Sequence, residues 1–196
     1  MIASIDGSTA VDGASGQLGN ANDSAVLKRL RSIADVIIVG AGTARAEGYG
    51  PPSKPGQRIG VVTASARVQL DTPLFTSGAG FLITTTTATV AASVDTVRAG
   101  EDAVDLLAAL RALGTVCDDP RVVQCEGGPG LNGSLFTRDL VDEINVTTAP
   151  LVAGGDGARL ATGAAAQSQP FGLHQLLIDD ESFLFSRWLR KRGDDG

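Results

Sequence analysis

The chain has 196 residues, 43% of them hydrophobic, enough for one domain with a substantial core. Its formal net charge of −6 argues against general binding to nucleic acid or to an anionic membrane. No apolar run is long enough to span a bilayer, and one histidine with two cysteines argues against a structural zinc, a histidine triad or a disulfide framework. The first residues show no charged segment leading into an apolar one, so a cytoplasmic setting with free thiols is expected. Any enzymatic chemistry then has to come from carboxylates, backbone groups and a bound cofactor, with no metal.

Residues 1–5 form a short apolar opening, ended by the turn signal Asp6-Gly7. The chain starts almost inside its first strand, so that strand is very short or residues upstream are missing. Asp6 either shapes the turn or faces a ligand at the strand end. Residues 13–22 are polar and glycine-rich, a loop flexible enough to close over a site. Asn22 or Asp23 caps a helix over residues 24–33, with Val26, Leu27, Leu30 and Ile33 on one face. Arg31 near its end suits the helix dipole, and it also lies close enough to the next strand to reach a phosphate.

Val36 to Val39 is a continuous β-branched run, the signature of a buried strand. It ends at Gly40-Ala41-Gly42-Thr43, followed by Arg45, Glu47 and the turn Gly48-Tyr49-Gly50-Pro51-Pro52. Open α/β sheets hold nucleotides where a buried strand runs into such a loop. A Rossmann dinucleotide site fails on detail, because Arg45 replaces the third glycine and the prolines arrive before a long helix can form.

Residues 58–63 and 80–84 read as the next strands. Ser65 follows the first, and a threonine run leads from the second into a short helix near residues 88–93. A brief strand over 94–98 and a helix over 102–113, stopped by Gly114, come next. The strand over 121–125 delivers a second glycine cluster, Glu126 to Ser134, in which Gly128, Gly130 and Gly133 spell G-x-G-x-x-G. A helix over 131–140 follows, so this is either an anion site at a helix N-terminus or a plain strand-to-helix turn. After a strand over 142–148 and a small, polar loop over 161–170, two apolar runs (172–178 and 183–188) flank Asp179-Asp180-Glu181 as a hairpin. His174 lies in the first of these runs and reads as structural. Residues 191–196 are charged and expected to fray.

Strands and helices alternate, then a strand pair closes the chain. This pattern predicts an α/β three-layer sandwich with a mostly parallel central sheet and antiparallel C-terminal edge strands. Two glycine loops at the carboxyl end of one sheet would flank one cleft, for a long two-ended ligand or two ligands meeting end to end.

Ala3-Ser4-Ile5-Asp6-Gly7, Val39-Gly40-Ala41-Gly42-Thr43-Ala44-Arg45-Ala46-Glu47, Glu126-Gly127-Gly128, Leu140-Val141-Asp142-Glu143-Ile144 and Ala149-Pro150-Leu151 occur in this order. Together they resemble the riboflavin-biosynthesis pyrimidine reductases, including the C-terminal reductase domain of the bifunctional deaminase-reductases. The resemblance implies a dihydrofolate-reductase-like fold, one reductase domain over residues 1–196, a homodimer, and NADPH-dependent reduction of the ribosyl group of 5-amino-6-(5-phosphoribosylamino)uracil, or its diamino-pyrimidinone counterpart, to ribityl. It implies NADPH contacts at Ala3, Thr43, Glu47, Ser65, Gly127, Gly128, Pro129, Gly130, Leu131, Asn132, Gly133 and Ser134, and substrate contacts at Ser15, Leu18, Arg31 and Glu126. The arginine with which many members grip the substrate phosphate is missing, leaving Lys54 or Arg58 for that task. The deaminase signature H-x-E with P-C-x-x-C is absent from this sequence.

The implied acceptor is the ring-opened Schiff base of the sugar, whose positive imine a carboxylate would stabilise. Glu126 and Asp6 are the catalytic candidates for that electrostatic role or for proton transfer. For Glu126 the alternative is a carboxylate that accepts from loop amides beside Gly127 and Gly128. Two rival functions share the scaffold: a pterin or dihydrofolate reductase, and a non-catalytic nucleotide-binding domain.

Overall fold

The computed structural model describes residues 1–192; the fraying expected toward the C-terminus falls largely on residues 193–196, outside the described residues. The chain forms two compact units, Lys28–Leu131 and Met1–Leu27 with the chain from Asn132 on. The divisions fall within two helices, α1 (Ala21–Ile33) and α5 (Pro129–Thr137).

The unit over Lys28–Leu131 is built on a five-stranded sheet. Its strands are β2 (Val36–Gly40), β3 (Arg58–Val62), β4 (Gly80–Thr84), β5 (Thr96–Arg98) and β6 (Val123–Cys125), in the order β5-β4-β3-β2-β6. Every pairing is parallel. Val36, Ile37, Ile38 and Val39 are at most 1% exposed, so both faces of β2 are covered, as a parallel sheet layered by helices requires. Ile37, Val39, Ile59, Val61, Leu74 and Leu82 form one core cluster on this sheet. The connections carry α2 (Ala41–Ala46), α3 (Pro73–Thr76) and α4 (Leu106–Arg111), the last followed by a 3₁₀ turn at Leu113–Thr115.

The other unit holds a four-stranded sheet in the order β1-β7-β9-β8, from β1 (Ile2–Ala3), β7 (Glu143–Thr148), β8 (Phe171–Ile178) and β9 (Leu184–Arg190). β1 pairs with β7 in parallel, while β7, β9 and β8 are antiparallel. Ile2, Leu18, Ala149 and Phe183 make its core cluster. The mostly parallel arrangement with an antiparallel C-terminal pair is the one that the sequence pattern implies.

Several local readings shift. α1 begins at Ala21, and its cap is Asn20, whose Oδ1 accepts from the Asp23 amide at 2.9 Å, rather than Asn22 or Asp23. Leu27 and Ile33 of its expected buried face are exposed. No helix forms over residues 88–93. α4 starts only at Leu106, where the Asp105 carboxylate caps the Ala108 amide, so Asp102 to Val104 stay outside it. The glycine-rich loop over residues 13–22 is pinned rather than free, because Leu18 is 1% exposed inside the core and Asn20 donates to Asp179. His174 lies on β8 with its side chain exposed.

Candidate active site

The end of β2, where α2 begins directly, and the loop over residues 126–128 that follows β6 meet at the carboxyl edge of the parallel sheet. β2 and β6 are adjacent and run the same way, and the Gly40 amide donates to the Gly127 carbonyl at 2.7 Å. Contact is close enough to crowd a side chain at Gly40 and to exclude one at Gly128. A Cβ on Gly40 would stand 3.2 Å from the Gly128 amide nitrogen, and one on Gly128 would fall on the Thr43 hydroxyl. Gly40 and Gly128 are therefore glycine because two chain segments touch. Gly42 and Gly130 differ, since an added Cβ would meet nothing within 4 Å there. Both lie in the first turn of a helix, α2 and α5, with the backbone open on that side.

Glu126, the first residue of the β6 loop, is the most densely bonded carboxylate in this unit. Arg31 clamps it with two parallel bonds, Nε to Oε1 at 2.7 Å and Nη2 to Oε2 at 2.6 Å. Tyr49 donates its hydroxyl to Oε2 at 2.6 Å, and Gln124 donates Nε2 to Oε1 at 2.8 Å. The Arg31 guanidinium also lies over the Tyr49 ring, 5.5 Å from its centroid. The Glu126 side chain is 5% exposed, against 29% for that of Arg31. Bonding to Glu126 raises the Arg31 pKa above its ordinary value; burial, then the Glu126 charge, push the Tyr49 phenol up, so it stays a donor. All four bonds come from three side chains, Arg31, Tyr49 and Gln124, rather than from the loop amides that are the alternative.

Tyr49 and Gln124 stand outside the motifs that mark the other candidates. Both left a signal. Tyr49 is the only tyrosine, placed in a Gly48-Tyr49-Gly50 turn that otherwise needs no aromatic. Gln124 lies two residues before Glu126 and so shares its face of the strand.

The remaining candidates of this unit, Thr43, Glu47, Ser65, Gly127, Gly128, Pro129, Gly130 and Leu131, lie on loops or helix starts at the carboxyl edge. Glu47 and Ser65 are exposed, and Leu131 is buried. The two substitutes for the missing phosphate-gripping arginine are committed elsewhere. Lys54 donates to the Ala34 carbonyl at 2.7 Å. Arg58 donates to the Val116 carbonyl and pairs with Asp95, both at 2.8 Å, with its guanidinium over Phe81.

In the other unit, Asp6 Oδ1 accepts from Ser4 Oγ at 2.5 Å and from the Ala153 amide at 3.0 Å, and Oδ2 accepts from the Gly154 amide at 2.8 Å. The Ser4 bond, then the two amides, hold its carboxyl down at about 2. Its visible task is to tie the 153–154 turn to the end of β1. Ala3 is in β1, Ser15 is partly buried in the pinned loop, and the Leu18 side chain is used by the core. Asn132 is buried with Nδ2 on the Leu160 carbonyl, Gly133 packs so closely against Thr162 that no Cβ fits, and Ser134 is partly buried in α5. Among the described residues no cluster of three or more His, Cys, Asp or Glu could hold a metal ion, and no helix is long and apolar enough to cross a membrane.

A parallel sheet with two glycine loops joined at its carboxyl edge places the protein among the α/β folds that hold ligands at that edge. Its family is specific: the chain belongs to the RibD C-terminal domain family, whose model matches residues 1–183. None of the curated proteins matches the sequence. Among solved structures, it is similar to a pyrimidine reductase-like protein from Corynebacterium diphtheriae, with 24% identity, 98% of this chain and 90% of that chain covered, and a TM-score of 0.84. It is also similar to the Saccharomyces cerevisiae riboflavin biosynthesis reductase Rib7, with 19% identity, 97% and 87% covered, and a TM-score of 0.72. A third is the diaminohydroxyphosphoribosylaminopyrimidine deaminase/5-amino-6-(5-phosphoribosylamino)uracil reductase of Thermotoga maritima, at 17% identity and a TM-score of 0.78. There 97% of this chain is covered, but it spans only 55% of the length of that protein. These likenesses show the shared fold.

Two outcomes follow from the packing. Gly128→Ala should lower stability by about 1–3 kcal/mol in urea unfolding. Adding Thr43→Ala should recover part of that loss, because the hydroxyl that the new methyl meets is gone. Because Asp6 sits at about 2 against an ordinary 3.8, its stabilising contribution is complete above the higher value and lost as pH falls through the lower one. Asp6→Asn should therefore flatten the melting temperature's dependence on pH between those limits.

Proposed function

We propose that this chain is an NADPH-dependent oxidoreductase. It reduces the ribosyl group of 5-amino-6-(5-phosphoribosylamino)uracil, or its diamino-pyrimidinone counterpart, to ribityl in riboflavin biosynthesis, as one reductase domain in the cytoplasm. Membership of the RibD C-terminal domain family carries this reading and favours a pyrimidine over a pterin or folate substrate. The structural support is the bare backbone at Gly42 and Gly130, beside the Thr43 hydroxyl and the first turn of α5, which suits the phosphates of a dinucleotide.

In this reading Thr43, Gly127, Gly128, Pro129, Gly130 and Leu131 hold NADPH, with Glu47 and Ser65 at the exposed end. Ala3, Asn132, Gly133 and Ser134 belong to the same set, and Ser15, Arg31 and Glu126 to the substrate, while the Leu18 side chain stays in the core. The bound cofactor supplies the hydride. The residues of the chain supply position and charge: the glycine backbones let the cofactor approach, and the Glu126–Arg31 pair orients the substrate. Negative charge on Glu126 favours the positive imine of the ring-opened sugar over its neutral forms, and Asp6 shapes the strand end.

β8 is an edge strand that exposes Leu173, Leu176, Leu177 and Ile178, and residues 171–178 hold no Lys, Arg, Asp or Glu. An uncharged apolar edge is self-complementary, so a homodimer through this strand completes the reading.

The assay is the fall in NADPH absorbance with the phosphoribosylamino-uracil, then with dihydrofolate. Turnover of the first is expected, reduced about 100-fold or more by Arg31→Ala and by Glu126→Gln. Turnover of dihydrofolate alone would replace the substrate assignment. Size-exclusion chromatography with light scattering should give a dimer, and Leu177→Lys a monomer.

A further inference from the structure

Glu126 accepts four hydrogen bonds, two on each oxygen, and a carboxylate presents about four lone-pair sites. A substrate hydroxyl could bond to it only by displacing one of the present donors. Arg31 is placed differently. It commits Nε and Nη2 to Glu126, and its Nη1 takes no part in that pair. It is also the more exposed of the two side chains. The residue free to meet a ligand is thus Arg31, and Glu126 is the support that sets its plane.

We propose that Tyr49 is a positioning residue: it holds Glu126 through its hydroxyl and carries the Arg31 guanidinium on its ring, so that the Nη1 end of Arg31 is presented to the substrate phosphate. This rests on the reductase reading above, in which Arg31 contacts the substrate. Gln124 does the same for the other oxygen of Glu126. The arrangement also accounts for the phosphate-gripping arginine missing from this chain. Lys54 and Arg58 are held by backbone carbonyls and Asp95, whereas Arg31 is clamped on one edge only. A planar guanidinium fixed on one edge offers its other N–H groups in a set direction, which a freely rotating side chain does not. Ordering it in advance lowers the cost of binding the anion.

The test is Tyr49→Phe, which keeps the ring beneath the guanidinium and deletes one hydroxyl. KM for the phosphoribosylamino-pyrimidine should rise about tenfold, with the change falling on KM rather than kcat. The inhibition constant of inorganic phosphate, competing with that substrate, should rise by a similar factor, while the dissociation constant of NADPH stays where it was. Tyr49→Leu, which also removes the ring, should lose more on both readings. A melting temperature that falls while KM and phosphate inhibition stay constant would overturn the proposal and leave Tyr49 a core residue. An effect on kcat alone would overturn it as well. Absence of pyrimidine turnover in the unmodified chain would overturn the reductase reading and this inference together, whereas turnover with no change in Tyr49→Phe sinks only the inference.

Discussion

β2 is hydrogen-bonded in parallel on both sides, to β3 and to β6, and the carboxyl edge of the sheet depends on that position. Neighbouring strands lie about 4.8 Å apart, so the start of α2 and the loop that leaves β6 emerge within one strand spacing of each other. Parallel direction puts both on the same edge. The bond from the Gly40 amide to the Gly127 carbonyl extends the strand pairing past the end of β6. The glycines there serve two needs at once: Gly40 and Gly128 admit the neighbouring chain, while Gly42 and Gly130 leave space beside the backbone.

At the end of the same strand pair the chain buries charge. A carboxylate that is 5% exposed is costly unless it is paired and its lone pairs are used. Glu126 meets that condition with an arginine fork, a phenol and an amide. Removing any one donor leaves a buried acceptor short, which is why such networks hold one geometry. Arg58 shows the opposite use of the same side chain. Its guanidinium donates to Val116, Gly78 and Gly80 carbonyls and pairs with Asp95, binding the sheet to its connections. One arginine is part of the scaffold, and the other leaves an edge of its fork uncommitted.

Much of this was legible beforehand. The β-branched run of β2 and the short apolar runs of β3 and β4 marked these strands, because strands covered on both faces have no polar alternation. The two glycine clusters marked the carboxyl edge, and their order along the chain with Glu126 and the opening Asp6 carried the family resemblance. The readings that shifted are those where local propensity met tertiary demand. Leu27 and Ile33 repeat at helical spacing yet stay exposed, and Leu18 in a polar loop is a core residue. His174 sits among leucines that are themselves exposed, since β8 is an edge.

The alternation of elements, the parallel class of the main sheet, the glycine clusters and the identity of the residues that bear charge are all written in the order of the residues. Those properties are local, set by side-chain shape, backbone freedom and spacing along the chain. Which charge meets which is set by the packing of distant segments. Arg31, Tyr49, Gln124 and Glu126 come from a helix end, a turn, a strand and a loop, up to 95 positions apart. No spacing rule joins them. Packing did the same for Lys54 and Arg58, which as letters look like Arg31 but are already spent on carbonyls, since only the folded chain brings those acceptors within reach.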